Sequence, residues 1–362
     1  MKALLVAGAR PNFMKIAPIY REAIKHKEVD CKIVHTGQHY DIQMSQAFFH
    51  DLEIPEPIFF LGAGSGSHAT QTAKIMVAFE TLCEAESPDM VIVVGDVNST
   101  LACSIVAKKM RIAVAHVEAG LRSFDMAMPE EINRMVTDTL SDYFFVTEES
   151  GLQNLLREGK SPQKIHLVGN VMVDNLLHQA SVLAGQKGKL VETDALKAGS
   201  NGYAFLTLHR PSNVDDPLKL EEIISALNTI ARERAIIFPM HPRTRKMVET
   251  FAIRFSENIK ILPPLGFQEA LNLWKDACVV LTDSGGLQEE TTAMGVPCVT
   301  IRDNTERPIT IAMGTNILAG TTRKGILDAF AHALEGGTGI KKRPPLWDGR
   351  TSERIWKILL SK

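Results

Sequence analysis

The chain has 362 residues, which at about 150 residues per domain is roughly two domains. Its 40 Lys and Arg against 42 Asp and Glu leave a net charge of −2, which argues against a nucleic acid as main partner but permits a local basic pocket. Hydrophobic residues at 45% and charged residues at 23% exclude global disorder, and no apolar run approaches the roughly 20 residues that span a bilayer, so no membrane partner is expected.

The opening stretch 1–9 begins like a signal peptide, with one Lys and a short apolar run. Arg10-Pro11 follows at once, and a first buried strand accounts for the stretch better. The five cysteines at 31, 83, 103, 278 and 298 form no C-x-x-C pair and mostly sit in or beside apolar runs. They read as small buried thiols in a reducing cytoplasm, not as disulfides or a zinc cluster, and no metal is expected.

Along the chain, short runs that are apolar on both faces predict strands at 4–7, 31–35, 91–94, 113–117, 143–146 and 165–168. Helical spacing predicts helices at 13–25, 70–83, 99–109, 130–140 and 150–158 between them. A second series follows, with strands at 204–208, 236–240, 259–262, 279–282 and 297–301 and helices at 217–233, 244–255, 267–276, 287–294 and 324–335. Alternating strands and helices imply parallel sheets with right-handed crossovers. The stretch 185–202, rich in Gly, Lys, Ala and Ser, reads as a linker or surface loop, and 171–183 as a helix that could open the second domain. The expected organisation is an α/β chain of two Rossmann-like, doubly wound domains, 1–169 and 170–349, with an interdomain cleft. A last helix within 350–362 would pack back on the first domain.

In such folds ligands meet the loops at the carboxyl ends of the strands. The first of these loops, from Gly8 to Lys15, lacks the G-x-G-x-x-G pattern, so a dinucleotide cradle is poorly supported. It puts Arg10 and Lys15 at a strand-to-helix turn, suited to an anion or simply to a solvated turn. Gly95-Asp96-Val97-Asn98-Ser99 ends another strand; Asn98 or Ser99 would cap the next helix, and Asp96 could be a cap partner. His116-Val117-Glu118 puts a His and a Glu at an apolar strand tip, which is costly unless they are paired or wet. Pro129-Glu130-Glu131-Ile132-Asn133-Arg134 reads as a helix first turn, with Arg134 in an ion pair. Yet Asp96, Glu118 and Glu131 come from three successive strand-end loops, and three carboxylates on one rim suit acid/base work.

The second half repeats the habit with His209-Arg210 and His241-Pro242 at strand ends. Asp283-Ser284-Gly285-Gly286 opens a helix with a hydroxyl, little bulk and backbone N–H groups, as a phosphate nest does. Glu290 lies one turn on, within reach of a ribose. Arg307 adds a cation, and Phe267 could lie along a base or serve as a helix staple.

These pieces, with Gly37-Gln38-His39, Leu121-Arg122, Gln288-Glu289 and Thr305-Glu306-Arg307-Pro308, stand in the order found in the non-hydrolysing UDP-N-acetylglucosamine 2-epimerases, which the chain resembles from about residue 4 to 310. The resemblance implies a GT-B-like pair of domains and a cytoplasmic homodimer that acts in cell-surface polysaccharide synthesis without a cofactor. It implies anti elimination of UDP from UDP-N-acetylglucosamine to a 2-acetamidoglucal, then re-addition to give UDP-N-acetylmannosamine. By the family's motifs Asp96, Glu118 and Glu131 are the acid/base and stabilising carboxylates. His209 meets the diphosphate or assists the leaving group, and Arg134 orients the carboxylates or the sugar. Arg10, Lys15, Ser284, Gly285, Gly286 and Arg307 hold phosphates, Glu290 the ribose and Phe267 the uracil. Gln38, His39, Gln43, Gln46 and His241 are candidates for a second, activating UDP-sugar, with His241 also counted among the substrate-binding residues.

The chain departs from the family at Asn12-Phe13, where Glu-Ala is usual, and at Ser212, where a Glu is usual. It departs again at Arg243-Thr244, where Asn-Pro is commoner. The sugar-facing loops are among those that differ, so a UDP-diacetamido sugar is an alternative substrate. Further alternatives are a hydrolysing epimerase, a GT-B glycosyltransferase and a non-catalytic nucleotide-sugar sensor.

Overall fold

The computed structural model describes residues 1–37, 46–185, 190–198, 202–336 and 343–361, the side chains of 46–48 set aside. They group into two compact units, Met1–Asn175 with Pro345–Lys362, and Leu176–Pro344.

In the first unit strands and helices alternate: β1 (Lys2–Ala7), α1 (Arg10–Ala23), β2 (Asp30–His35), α2 (Gln46–Asp51), β3 (Phe59–Phe60), α3 (His68–Glu86) and β4 (Met90–Val94). Then come α4 (Asn98–Lys109), β5 (Ala113–Val117), α5 (Pro129–Leu140), β6 (Tyr143–Val146), α6 (Glu149–Arg157), β7 (Ile165–Leu167) and α7 (Val171–Gly185). The strands form one parallel sheet in the order β3-β2-β1-β4-β5-β6-β7. Its centre is apolar on both faces: Ala3–Ala7 of β1 and all of β4 are buried, with Leu4 in register with Val91. Both faces are closed by helices, as a parallel sheet requires. The order reverses between β1 and β4, so the loops after these two strands part around a crevice at their carboxyl ends.

The second unit continues with α8 (Val191–Ala198), β8 (Ala204–Thr207), α9 (Pro211–Val214), α10 (Pro217–Ile230), β9 (Ile236–Pro239), α11 (Pro242–Thr250), β10 (Ile259–Leu262) and α12 (Phe267–Trp274). It ends with β11 (Val279–Thr282), α13 (Gly285–Met294), β12 (Cys298–Thr300), α14 (Pro308–Ala312), β13 (Asn316–Leu318) and α15 (Arg323–Leu334). Its parallel sheet runs β10-β9-β8-β11-β12-β13 and reverses between β8 and β11, where Thr207 is in register with Thr282.

Several elements differ from the sequence-based expectation. The stretch read as a linker contains α8, which buries Thr193 and no apolar face. Polar contacts hold it on α12 instead: Asn272 Nδ2 donates to Thr193 Oγ1 at 2.8 Å, and Lys197 Nζ to Asn272 Oδ1 at 2.7 Å. The strands β3 and β13, two and three residues long, are too short to show a period. Neither Asn98 nor Ser99 is the cap of α4: Val97 takes that position without a side-chain bond.

The change of unit falls inside α7, and not at Gly169–Asn170, because the start of α7 is tied down within the first unit. Arg21 donates to Asn175 Oδ1, and Asp174 accepts from the backbone N–H groups of Thr351 and Ser352 at 3.0 and 2.7 Å. Those last two residues open α16 (Thr351–Leu360), which packs on α1 through buried Ile355, Trp356 and Leu359. The Trp356 indole N–H donates to Ile19 O at 2.8 Å, so its one polar atom is satisfied in the core.

Candidate active site

In the first unit the predicted carboxylates each meet a cation. Glu118 stands just beyond β5, 3% exposed and at φ +70°, a left-handed backbone that a glutamate adopts at a cost of about 1–3 kcal/mol. It forms an ion pair with Lys15 of α1. Beneath the pair lies Gly95, where a Cβ would come within 3.0 Å of Lys15 Nζ and 3.3 Å of Glu118 Oε2. Gly95 therefore gives the pair its room. Lys15, expected among the phosphate ligands, is here placed against a carboxylate. Arg10 is the exposed first residue of α1.

The Arg134 guanidinium bridges the other two carboxylates, 2.5 Å from Asp96 Oδ2 and 2.9 Å from Glu131 Oε2. Glu131, 1% exposed, also accepts from Ser123 N, Ser123 Oγ and Phe124 N at 2.8, 2.9 and 3.1 Å. Burial alone would raise its carboxyl. These hydrogen bonds and the Arg134 charge outweigh burial and hold it below the usual carboxylate range. Asp96 keeps 28% of its side chain exposed and lines a cavity of about 320 Å³ with His68, Gln71, Asn98, Glu130 and Asn133.

Sequence reading missed the polar floor of that cavity. Asn98 Nδ2 donates to Gln71 Oε1 at 2.8 Å, and Asn133 Nδ2 donates to Asp96 O at 2.8 Å. It also missed Asp138, which is fully buried against His116. The signal was present in α5: Glu131, Arg134 and Asp138 are spaced 3 and 4 apart, a buried polar stripe on one helix face.

In the second unit, the loops on either side of the reversal point build a different site. Asp283, fully buried after β11, accepts from His209 N at 2.9 Å and Arg210 N at 2.8 Å, and its Oδ1 lies 3.0 Å from His209 Nδ1. Burial would raise its carboxyl, and these partners hold it low. The His209 ring is thereby anchored through Nδ1, which leaves Nε2 as the nitrogen for a ligand. Its neighbour His241 caps α11 by accepting from Arg243 N at 3.2 Å, with ring centroids 5.7 Å apart. Burial and the His209 charge both push the His241 imidazole down.

His209, His241, Phe267, Ser284, Gly286 and Glu290 line one cavity of about 320 Å³, whose apolar wall includes Leu265 and Trp274. Gly285 and Gly286 open α13, whose first N–H groups have no acceptor within the helix. A Cβ at Gly286 would meet nothing within 4 Å, and at Gly285 only Arg210 Nη2 at 3.8 Å. The protein's own packing does not require glycine here, so the small residues keep the helix start open to what approaches from outside. Arg307 caps α14 and pairs through Nε with Glu289 at 3.1 Å. A larger hollow of about 490 Å³ in the same unit, beside Arg232, Arg254 and Arg323, is lined by none of the predicted site residues. Gln38, His39 and Gln43 lie outside the described residues, as does the side chain of Gln46. Among the described residues, no three His, Cys, Asp or Glu are grouped to hold a metal ion, and no helix is long and apolar enough to cross a membrane.

Glu290 carries a direct prediction. Burial, then the adjacent Glu289 charge, push its carboxyl up from 4.5 to about 8. Between those values the folded chain holds a proton that the unfolded chain has released, so this residue makes stability fall as pH rises from about 4.5 to about 8. Glu290→Gln has no such proton to lose. In thermal melts the variant is expected to gain Tm over the parent progressively toward about pH 8, and parallel Tm–pH curves would refute the assignment.

Doubly wound parallel sheets with polar groups gathered at the carboxyl ends of their strands define a class of α/β proteins that bind ligands at the reversal of strand order. Within that class, residues 21–360 match the family model described as UDP-N-acetylglucosamine 2-epimerase, and the chain belongs to that family. It is 42% identical to the UDP-N-acetylglucosamine 2-epimerase of Methanocaldococcus jannaschii over 99% of both chains. It is 39% identical to the UDP-2,3-diacetamido-2,3-dideoxy-D-glucuronate 2-epimerase of Pseudomonas aeruginosa, again over 99% of both. The crystal structure of the M. jannaschii enzyme in complex with UDP-GlcNAc and UDP superposes with a TM-score of 0.85 at 42% identity, covering 100% of each chain.

Proposed function

We propose that the protein interconverts UDP-N-acetylglucosamine and UDP-N-acetylmannosamine by eliminating UDP and adding it back. The observation that carries this reading is the division of labour between the sites. One holds three carboxylates against Lys15 and Arg134, and the other holds a glycine-opened helix start beside two histidines and Glu290.

In the forward half, the C1–O bond breaks and its electron pair leaves with UDP. The C2–H bond supplies the pair for the new C1=C2 bond, and its proton passes to a carboxylate. Re-addition reverses each event, with the proton delivered to the other face of C2. The C2 proton is a poor acid, so cleavage at C1 leads and positive charge develops on the sugar ring.

Glu131, with four donors on its oxygens, stays ionised and stabilises that charge. Glu118 and Asp96 handle protons, Glu118 beside Lys15 and Asp96 in partial contact with solvent. Arg134 orients the carboxylates. His209 Nε2 and the start of α13, with Ser284, Gly285 and Gly286, receive the diphosphate. Glu290 takes the ribose and Phe267 the uracil, with His241, Arg10, Lys15 and Arg307 supplying the remaining polar and cationic contacts. No cofactor enters. The same proposal includes a cytoplasmic homodimer and Gln38, His39, Gln43 and Gln46 as candidates for a second UDP-sugar.

Incubation with UDP-N-acetylglucosamine in deuterated water tests the reading. UDP-N-acetylmannosamine carrying deuterium at C2 is expected, and its absence would sink this substrate. The P. aeruginosa relative favours one second reading, a UDP-2,3-diacetamido uronic acid substrate. Parallel incubation with that sugar nucleotide decides between the two.

A further inference from the structure

His116 is fully buried at the end of β5, and neither of its ring nitrogens meets a group that can donate. Nε2 lies 2.8 Å from the backbone oxygen of Gly95, which can only accept. Nδ1 lies 2.7 Å from Asp138 Oδ1. Asp138 is itself an ionised acceptor, because its Oδ2 takes the Gly120 N–H at 3.0 Å and the Arg122 guanidinium at 2.7 Å. Burial would raise the Asp138 carboxyl, but His116 and Arg122 outweigh burial and keep it low.

From this geometry we propose that His116 is a positioning residue for the reaction: doubly protonated, it staples the Gly95 carbonyl at the end of β4 to Asp138 of α5, and so sets Asp96 opposite Arg134. The proposal rests on the reading of Asp96 and Glu118 as catalytic groups.

The charges around the ring support it. Asp138 and Glu158 face Arg122, whose guanidinium makes 2.8 Å bonds to both Glu158 oxygens, so an imidazolium completes a set of two positive and two negative groups. The other charged groups nearby in the chain are Asp96, which follows Gly95 and pairs with Arg134, and Glu118, two residues beyond His116 and paired with Lys15. The staple acts through the backbone. Gly95 is held on one side by its N–H to Val117 O at 3.0 Å and on the other by its carbonyl to His116. Asp96 follows directly, with its own carbonyl held by Asn133 of α5. Without the second proton, either Asp138 or Gly95 would confront a bare nitrogen lone pair in a buried site.

The test combines a spectrum with kinetics on the full chain. In ¹⁵N-histidine spectra of the wild type at about pH 8, His116 should show two protonated nitrogens, and one bare nitrogen overturns the proposal. His116→Gln must turn its amide oxygen toward an acceptor, so kcat is expected to fall by about 10²-fold with KM for the UDP-sugar within about threefold. A folded H116Q within about twofold of wild-type kcat overturns the positioning role. The double variant H116Q/D138N restores every donor–acceptor pair with neutral amides. It should recover at least about tenfold of the lost kcat, and it remains the informative variant if melting shows that H116Q alone does not fold. No recovery in a folded double variant also overturns the proposal. The spectrum does not depend on turnover, so a wild type that epimerises nothing would refute the function while His116 is still read directly.

Discussion

Glu118→Gln is expected to lower kcat for C2 epimerisation by about 10³–10⁴-fold while leaving UDP affinity within about twofold. The substitution keeps the shape and removes both the proton-accepting capacity and the charge that faces Lys15. The cavity proposed to take the UDP moiety is lined by His209, Ser284, Gly286 and Glu290 of the other unit, none of which the change touches. Single-turnover measurement of C2 deuterium exchange, beside calorimetric titration with UDP, reads the two quantities separately. A variant that exchanges at near the parental rate would remove Glu118 from proton transfer.

Arg134→Met is expected to cost about 3–5 kcal/mol of folding stability together with most of the activity. Arg134 answers two carboxylates at once, and Glu131 is 1% exposed. Removing the guanidinium leaves both carboxylates without their shared cation, Glu131 buried and Asp96 partly exposed. The sign of the pH effect follows. In the parent, Glu131 lies below its usual range, so its contribution is present at neutral pH and lost as pH falls. In the variant, carboxylates without their cation are eased by protonation, so the deficit against the parent should shrink as pH is lowered toward about 5. Urea unfolding at several pH values measures this. A variant within about 1 kcal/mol of the parent, with normal turnover, would show that the bridge is dispensable.

The fold was largely legible because parallel strands buried on both faces leave apolar runs too dense to miss, as in Met90–Val94 and Ala204–Thr207. What escaped was held by polar contacts. The helix Val191–Ala198 buries Thr193 in place of an apolar face and is fixed through Thr193 and Lys197. The site was legible as a set of strand-end residues, but their partners were not. Arg10 and Lys15 look like one cationic pair in the sequence. Five residues along a helix is a turn of about 140°, so they do not share a face. Lys15 instead meets Glu118, 103 positions further on, a contact that only the sheet order brings about. Asp138 could have been read from its spacing to Glu131 and Arg134. Its role could not, because it depends on His116 arriving from a neighbouring strand.

The chain leaves the first unit at Asn175 and re-enters it at Pro345, so the second unit is an uninterrupted insertion in a discontinuous host. During synthesis residues 176–344 are all out of the ribosome before α16 emerges, and with it the Trp356 that fills the space beside α1. The inserted unit can therefore complete its core first, while the host waits with α1 uncovered, reversing the usual order in which N-terminal domains finish early. A stalled or truncated chain ending before residue 345 would present that apolar helix face to chaperones and proteases. The face of α1 is thus closed only by a helix made after the whole inserted unit, far along the sequence from the helix it covers.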